Sequence, residues 1–179
     1  MKPQVILYIA ISRDGFIADE NGSVDWLNSF AADLPPDMDC GYHDFFASLD
    51  LIVMGRKTYE QMLTFGDWPN AGKHSYIFTE STEQPAQADI TFVNESVTDF
   101  IKKIAGEKPG CKIWLEGGAS LVQQFLDAHL IDESIITIIP ITLNEGIALP
   151  HDLVVGTGFN EINSIDYSHD IIQKHFVKK

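Results

Sequence analysis

The stretch KIWLEGGASLVQQFL, Lys112 to Leu126, decides how this chain is read. An apolar run stops at Glu116, passes through two glycines, and resumes with Leu121, Val122, Phe125 and Leu126 at helical spacing. A strand, a tight turn and a helix follow from that pattern. The turn alone needs one glycine; a second removes another Cβ and lets something outside the chain approach the backbone. In an open α/β sheet, ligands bind at the carboxyl ends of strands. A helix start there offers unpaired N–H groups and about half a positive charge, which suits a phosphate. Close strand–helix packing would use the same glycines, so the pair alone leaves both readings open.

A second stretch shifts that balance. LIVMGRKT, Leu51 to Thr58, repeats the strand, glycine and helix start, now with Arg56 and Lys57 in the first turn. Cations there oppose the helix dipole, so an anionic ligand explains them better than the fold does; two solvated side chains are the bland alternative. The spacing is not that of a Walker A loop. Two strand-to-helix phosphate sites on one sheet imply a dinucleotide lying across the strand ends.

The rest of the chain fits the same architecture. QVILYIAIS, Gln4 to Ser12, reads as a buried central strand. A long polar loop, Arg13 to Asp37, follows, with turn signals at Asp14-Gly15, Asn21-Gly22 and Pro35-Pro36; such length suggests a lid or binding loop. A short helix over Cys40 to Leu49 precedes the Leu51–Met54 strand. In the next helix, Thr58 and Gln61 have capping-box spacing. SYIFT and ITFV are two more strands, Ser96 and Asp99 open a helix that Gly106 closes, and Ala119 to Ala128 forms another helix. ESIITIIPITL is a long strand with Pro140 marking an edge or bulge, and the tail closes as a hairpin turning at Tyr167–Asp170. The expectation is one α/β domain over residues 1–179, with a mixed sheet and a C-terminal antiparallel hairpin.

Composition narrows the function. The 179 residues are 45% hydrophobic and 21% charged, which suits an ordinary globular protein. No apolar run is long enough to span a membrane, and the run after Lys2 is at the lower limit of a signal-peptide core. Cys40 and Cys111 stand far apart without a framework, which fits a reducing cytoplasm. A net charge of −14 argues against nucleic acid or anionic lipid as partner. It also means that local donors must overcome the global field to hold a phosphate. Asp19 to Asp25 fails calcium-loop spacing, and the six histidines show no metal-ligand spacing.

ILYIAISRDGFIA, LIVMGRKTYE and WLEGGASLVQQFL…LIDESIITIIPITL together resemble the dihydrofolate reductase superfamily across the chain. The last resembles most the reductase domain of the riboflavin-biosynthesis deaminase–reductase. The resemblance implies a dihydrofolate reductase-like three-layer fold with helices on both sheet faces, a homodimer, NADPH as cofactor with NADH not excluded, and hydride transfer to a pteridine- or aminopyrimidine-type substrate. Of known activities, 5-amino-6-(5-phosphoribosylamino)uracil reduction is the most similar. Dihydrofolate reduction is the alternative, and an inactive nucleotide-binding or dimerisation module is the non-enzyme reading. By the resemblance Ala10 and Ile11 line the nicotinamide site, and Ile17 and Ala18 sit in the loop that closes over it. Gly55, Arg56, Lys57 and Thr58, with Thr79, Glu80 and Ser81, hold the adenosine-side phosphates; Gly117, Gly118, Ala119 and Ser120 wrap the pyrophosphate. Glu80 departs from the family, which often has a basic residue near there for a ribose 2′-phosphate.

Hydride transfer to a C=N or C=O bond calls for a proton source within reach. Asp39 and Asp37 match the dihydrofolate reductase acid by two alignments that differ by two residues. Asp14 and Glu116 are the pair carried from the riboflavin-pathway side, with Glu116 read as an acceptor for a ligand hydroxyl. Helix-start capping serves Asp37 and Asp39 equally well, and the Asp-Gly turn does so for Asp14. Trp26, Asp37, His43 and Thr137 are the substrate-side candidates, and Trp68-Pro69 borders the cleft. The threonine, aspartate and arginine pattern that serves the substrate phosphoribose in riboflavin-type reductases is absent after the second strand.

Overall fold

The computed structural model describes residues 1–81 and 88–179. In chain order its strands are β1 (Gln4–Ser12), β2 (Phe16–Ala18), β3 (Leu51–Gly55), β4 (His74–Phe78), β5 (Ile90–Val93), β6 (Lys112–Gly117), β7 (Glu133–Ile139), β8 (Ile147–Ala148), β9 (Phe159–Asp166) and β10 (Ile172–Lys178). The helices are α1 (Asp25–Ala32), α2 (Tyr42–Ser48), α3 (Arg56–Met62), α4 (Val97–Glu107), α5 (Ala119–Asp127) and α6 (His151–Val154). Eight strands form one mixed sheet in the order β5-β4-β3-β6-β1-β7-β10-β9, while β2 and β8 pair separately. Strands β1, β6, β3, β4 and β5 run parallel; β7, β10 and β9 pair antiparallel. The α/β architecture and the closing hairpin are those expected from the sequence.

The chain divides into two compact units. The first comprises Met1–Leu7 and Ser48–Asp132. Its central strand β3 is buried on both faces, so it is wholly apolar and Leu51 to Met54 are inaccessible. Helices α4 and α5 present Phe100, Ile104, Val122 and Phe125 to this core, all of them fully buried. Phe100 meets Tyr76 and Phe78 edge-on with ring centroids 5.0 and 5.2 Å apart. Each such side chain contributes about 1.5–3 kcal/mol by leaving water. Ser96 caps α4 by accepting from the Asp99 amide, as its spacing predicts.

The second unit comprises Tyr8–Ala47 and Glu133–Lys179. Its sheet edge, β9, buries only Phe159. β2 and β8 are held by a close approach: a Cβ on Gly146, at φ +150°, would stand 2.3 Å from the Ala18 carbonyl oxygen, so only glycine fits. Burial also changes along β1, from inaccessible Val5 and Leu7 to half-buried Tyr8, Ile9 and Ala10.

Several local expectations are corrected. The segment after β1 is not one loop, because it holds β2 and α1. Helix α1 carries Trp26, Leu27 and Phe30 at helical spacing, a stripe hidden among the turn signals around it, and all three are half-buried. Thr58 and Gln61 form no capping box: α3 starts directly on Gly55, which puts Thr58 inside the first turn. Gly106 lies within α4, which ends at Glu107 with Lys108 as its C-cap, and the left-handed turn falls at Gly110 (φ +78°). Cys40 and Gly41 have φ of +51° and +80°, which delays α2 to Tyr42. β7 ends at Ile139, so Pro140 falls just outside the strand and removes no donor from its ladder.

Candidate functional site

In the first unit three neighbouring parallel strands end side by side: β4 leads to Thr79, β3 ends at Gly55, and β6 ends at Gly117. Gly55 is the extended N-cap of α3 and Gly118 the extended N-cap of α5; neither helix has a side-chain cap or an acid in its first turn. Their first-turn N–H groups lack intrahelical acceptors by geometry. The two corners adjoin, since a Cβ on Gly55 would stand 3.8 Å from both Gly117 O and Gly118 N. Gly117 has φ +128°, reserved to glycine, and the Gly117–Gly118 peptide is cis. A Cβ on Gly118 would reach within 3.3 Å of Thr58 Oγ1. The result is a glycine-lined corner at the starts of two helices, with the Thr58 hydroxyl at its edge.

The cations beside it differ. Arg56 is engaged, its Nε donating to Glu60 Oε1 at 2.7 Å and its guanidinium 6.0 Å from the Phe92 ring centre. Lys57 is exposed and has no ion-pair partner among the described residues. Ser120 and Glu80 are exposed, while Ala119 is half-buried. At the end of β4, Thr79 Oγ1 accepts from the Ser81 amide at 3.1 Å.

Glu116, the residue before this corner, is partly exposed by area yet set deep in protein. Desolvation pushes its carboxyl up to about 8, against the opposing donation from Asn70 Nδ2 to Oε2 at 2.8 Å. At neutral pH it is therefore an uncharged acid, which can donate a hydrogen bond as well as accept one. Asn70 itself is wholly buried, and its Oδ1 has no partner among the described residues.

The candidates in the second unit are differently occupied. Asp39 accepts from the His43 amide (2.9 Å), the Gly41 amide (2.9 Å) and His43 Nδ1 (2.6 Å). Led by the His43 amide, these donors hold its carboxyl down at about 2. Asp14 accepts from Ser12 Oγ (2.7 Å) and from the amides of Asn144 (2.8 Å) and Leu143 (3.2 Å). Partial desolvation pushes Asp14 up, but these donors outweigh it and hold the carboxyl below its ordinary range. Asp37 is exposed, as is His43 apart from its bond to Asp39. Trp26 is half-buried, and its Nε1 lacks a partner among the described residues, as does that of Trp68 in the first unit. Ala10 and Ile17 keep accessible surface, whereas Ile11 and Ala18 lie in the core.

Thr137 belongs to a polar row on strands β1, β7 and β10. Gln173 Nε2 donates to Thr137 Oγ1 (3.0 Å), the Cys40 carbonyl (3.0 Å) and the Tyr8 hydroxyl (3.2 Å), and Tyr8 donates to the same carbonyl (3.0 Å). Burial pushes the Tyr8 phenol up to about 12, so it remains a donor. Sequence reasoning missed Tyr8, Gln173 and Asn70. Gln173 had a signal, since alternation places it with Ile171 on the inward side of the last strand; Asn70, in an irregular loop, had none.

Residues 3–163 match the RibD C-terminal domain. The chain is 38% identical to the "uncharacterized protein YwjB" of Bacillus subtilis (strain 168), with 99% of both chains covered. It is 32% identical to the "uncharacterized protein YyaP" of the same organism, over 95% of this chain and 92% of the other. Among solved structures, a protein of Shewanella sp. PV-4 provisionally assigned to riboflavin biosynthesis superposes with a TM-score of 0.84 at 31% identity, covering 100% of this chain and 99% of that one. The Thermotoga maritima diaminohydroxyphosphoribosylaminopyrimidine deaminase/5-amino-6-(5-phosphoribosylamino)uracil reductase shares the fold, with a TM-score of 0.72 at 18% identity; this chain covers 57% of its length.

Proposed function

The chain belongs to the RibD C-terminal domain family, and from that premise we propose that it is an NADPH-dependent reductase of a pteridine- or aminopyrimidine-type substrate. The observation that carries the reading is the corner formed by Gly55, Gly117 and Gly118, where two helices without side-chain caps begin next to each other on glycines. A pyrophosphate needs close backbone approach, unpaired N–H groups and a local cation, and the corner with Lys57 supplies all three. The same residues explain how a chain of net charge −14 attracts an anion. Gly117 to Ser120 would hold the pyrophosphate, and Lys57 the adenosine-side phosphate. The bound dinucleotide would supply a hydride.

The chain's own residues would govern protons and orientation. Glu116 holds a proton at neutral pH and keeps accessible surface beside the corner. Asp14 and Asp39 are ionised and already surrounded by donors, so they are poor proton sources and serve better as braces. Within the second unit, the row of Tyr8, Thr137 and Gln173 is a fixed set of hydroxyl and amide groups. NADPH should raise the melting temperature of the wild type, and the shift should disappear in Lys57→Ala/Gly118→Val. An equal shift in both proteins would refute the site. Oxidation of NADPH across dihydropteridines and aminouracils then identifies the substrate.

A further inference from the structure

Asn70 stands out in the loop between α3 and β4. It is inaccessible, although Pro69, Ala71 and Gly72 around it are exposed. A carboxamide inside protein costs free energy unless it is hydrogen-bonded; its Nδ2 donates weakly to Met62 Sδ at 4.0 Å and, 46 residues along the chain, to Glu116 Oε2 at 2.8 Å, next to the glycine pair. The bond has a direction. Nδ2 can only donate, so Oε2 of Glu116 accepts, and a proton carried by that carboxyl resides on the other oxygen, Oε1.

We propose that Asn70 is a positioning residue: by occupying Glu116 Oε2 it keeps the acid's proton on Oε1 and makes Glu116 a hydrogen-bond donor to an acceptor atom, a carbonyl oxygen or an unprotonated ring nitrogen, of the ligand at the strand ends. The inference rests on the NADPH-reductase reading and deepens it, because it reverses the expected role of Glu116 from acceptor to donor. Charged neighbours do not dictate the arrangement. Around Glu116, β3 and the Gln4–Leu7 part of β1 carry no ionisable side chain. In α3, Arg56 is paired with Glu60, Lys57 is exposed and Tyr59 is buried against Trp68 and Phe92. α5 has no charge before Asp127, which accepts from Gln123. In the loop, Asp67 is exposed and Lys73 donates to the Leu49 carbonyl. Burial and Asn70 are the influences that set the carboxyl.

Two measurements test this on the full chain. The first follows the 13C-glutamate carboxyl signals against pH without ligand and assigns Glu116 by its loss in Glu116→Gln. The wild-type midpoint is expected near 8. In Asn70→Ala, which removes a donor that favours the carboxylate, it should move up by about one unit. Asn70→Ser, which keeps a small donor, should fall between and serves if the alanine variant does not fold. A midpoint near the ordinary glutamate range, or one that Asn70 variants leave in place, overturns the proposal. The second measures NADPH affinity from pH 6 to 10. Wild-type affinity should fall as Glu116 ionises, Glu116→Gln should abolish that fall because its amide still donates, and Asn70→Ala should displace it upward. A fall that persists in Glu116→Gln also overturns the proposal. Absence of NADPH binding at every pH would instead refute the cofactor reading, since the titration is read without NADPH.

Discussion

Two carboxyl groups of this protein stand at similar places in the chain and meet opposite fates. Glu116 is the last but one residue of β6, three before the start of α5, and Asp39 lies three residues before α2. Asp39 receives two backbone donors and the His43 ring, and is held as a carboxylate down to about pH 2. Glu116 receives one donor amid apolar strands and keeps its proton up to about pH 8. The difference lies in the supply of N–H groups. The left-handed Cys40–Gly41 turn points amides at Asp39, whereas the donor to Glu116 is the side chain of Asn70. An acid at a helix entry is a brace where the turn saturates it and a proton carrier where the turn does not.

The comparison can be broken by removing each charge in turn. The largest effect is expected at Glu116. Its folded-state value is raised, so the folded protein binds the extra proton, and stability drains away as pH rises from about 4.5 to about 8. Glu116→Gln should therefore match the wild type below that window, exceed it increasingly through the window, and keep a constant advantage above about pH 8. The gain should be on the order of 1–3 kcal/mol at pH 8, allowing for partial exposure; chemical denaturation at several pH values checks it. Asp39 has the opposite sign. Its lowered value contributes stability that is present above the ordinary aspartate range and is lost as pH falls through about 2. Asp39→Asn should melt lower than the wild type at neutral pH, with the gap closing in acid. The smallest effect belongs to Asp14, exposed and clamped by Ser12, Leu143 and Asn144. Asp14→Asn should leave the melting temperature nearly unchanged and raise the rate of proteolytic nicking near Leu143. If Asp14→Asn costs more than Asp39→Asn, the ranking by donors is wrong.

How much of this was legible in the sequence follows from the length scale of each signal. The apolar run Leu51–Met54, the helical stripe Leu121, Val122, Phe125 and the Ser96–Asp99 cap are local patterns, and each appears where it was read. Short elements such as β2 and β8 were invisible, because two or three residues carry no period and depend on the Gly146 contact with Ala18. The two strand–glycine–helix patterns announced neighbouring corners, and Gly55 adjoins Gly117 and Gly118. Acids near a motif could be listed by position, yet their protonation depends on distant donors: Asn70 for Glu116, and Leu143 and Asn144 for Asp14. No spacing rule reaches across such separations.

The central claim is that the corner of Gly55, Gly117 and Gly118 grips the diphosphate of a nicotinamide dinucleotide. Its most direct test is a crystal structure of the NADPH complex. The account predicts pyrophosphate oxygens within hydrogen-bonding distance of the amides that open α5, with the Lys57 ammonium near the adenosine side. NADPH seated elsewhere, or a side chain filling the space in front of Gly117 in the complex, would contradict it.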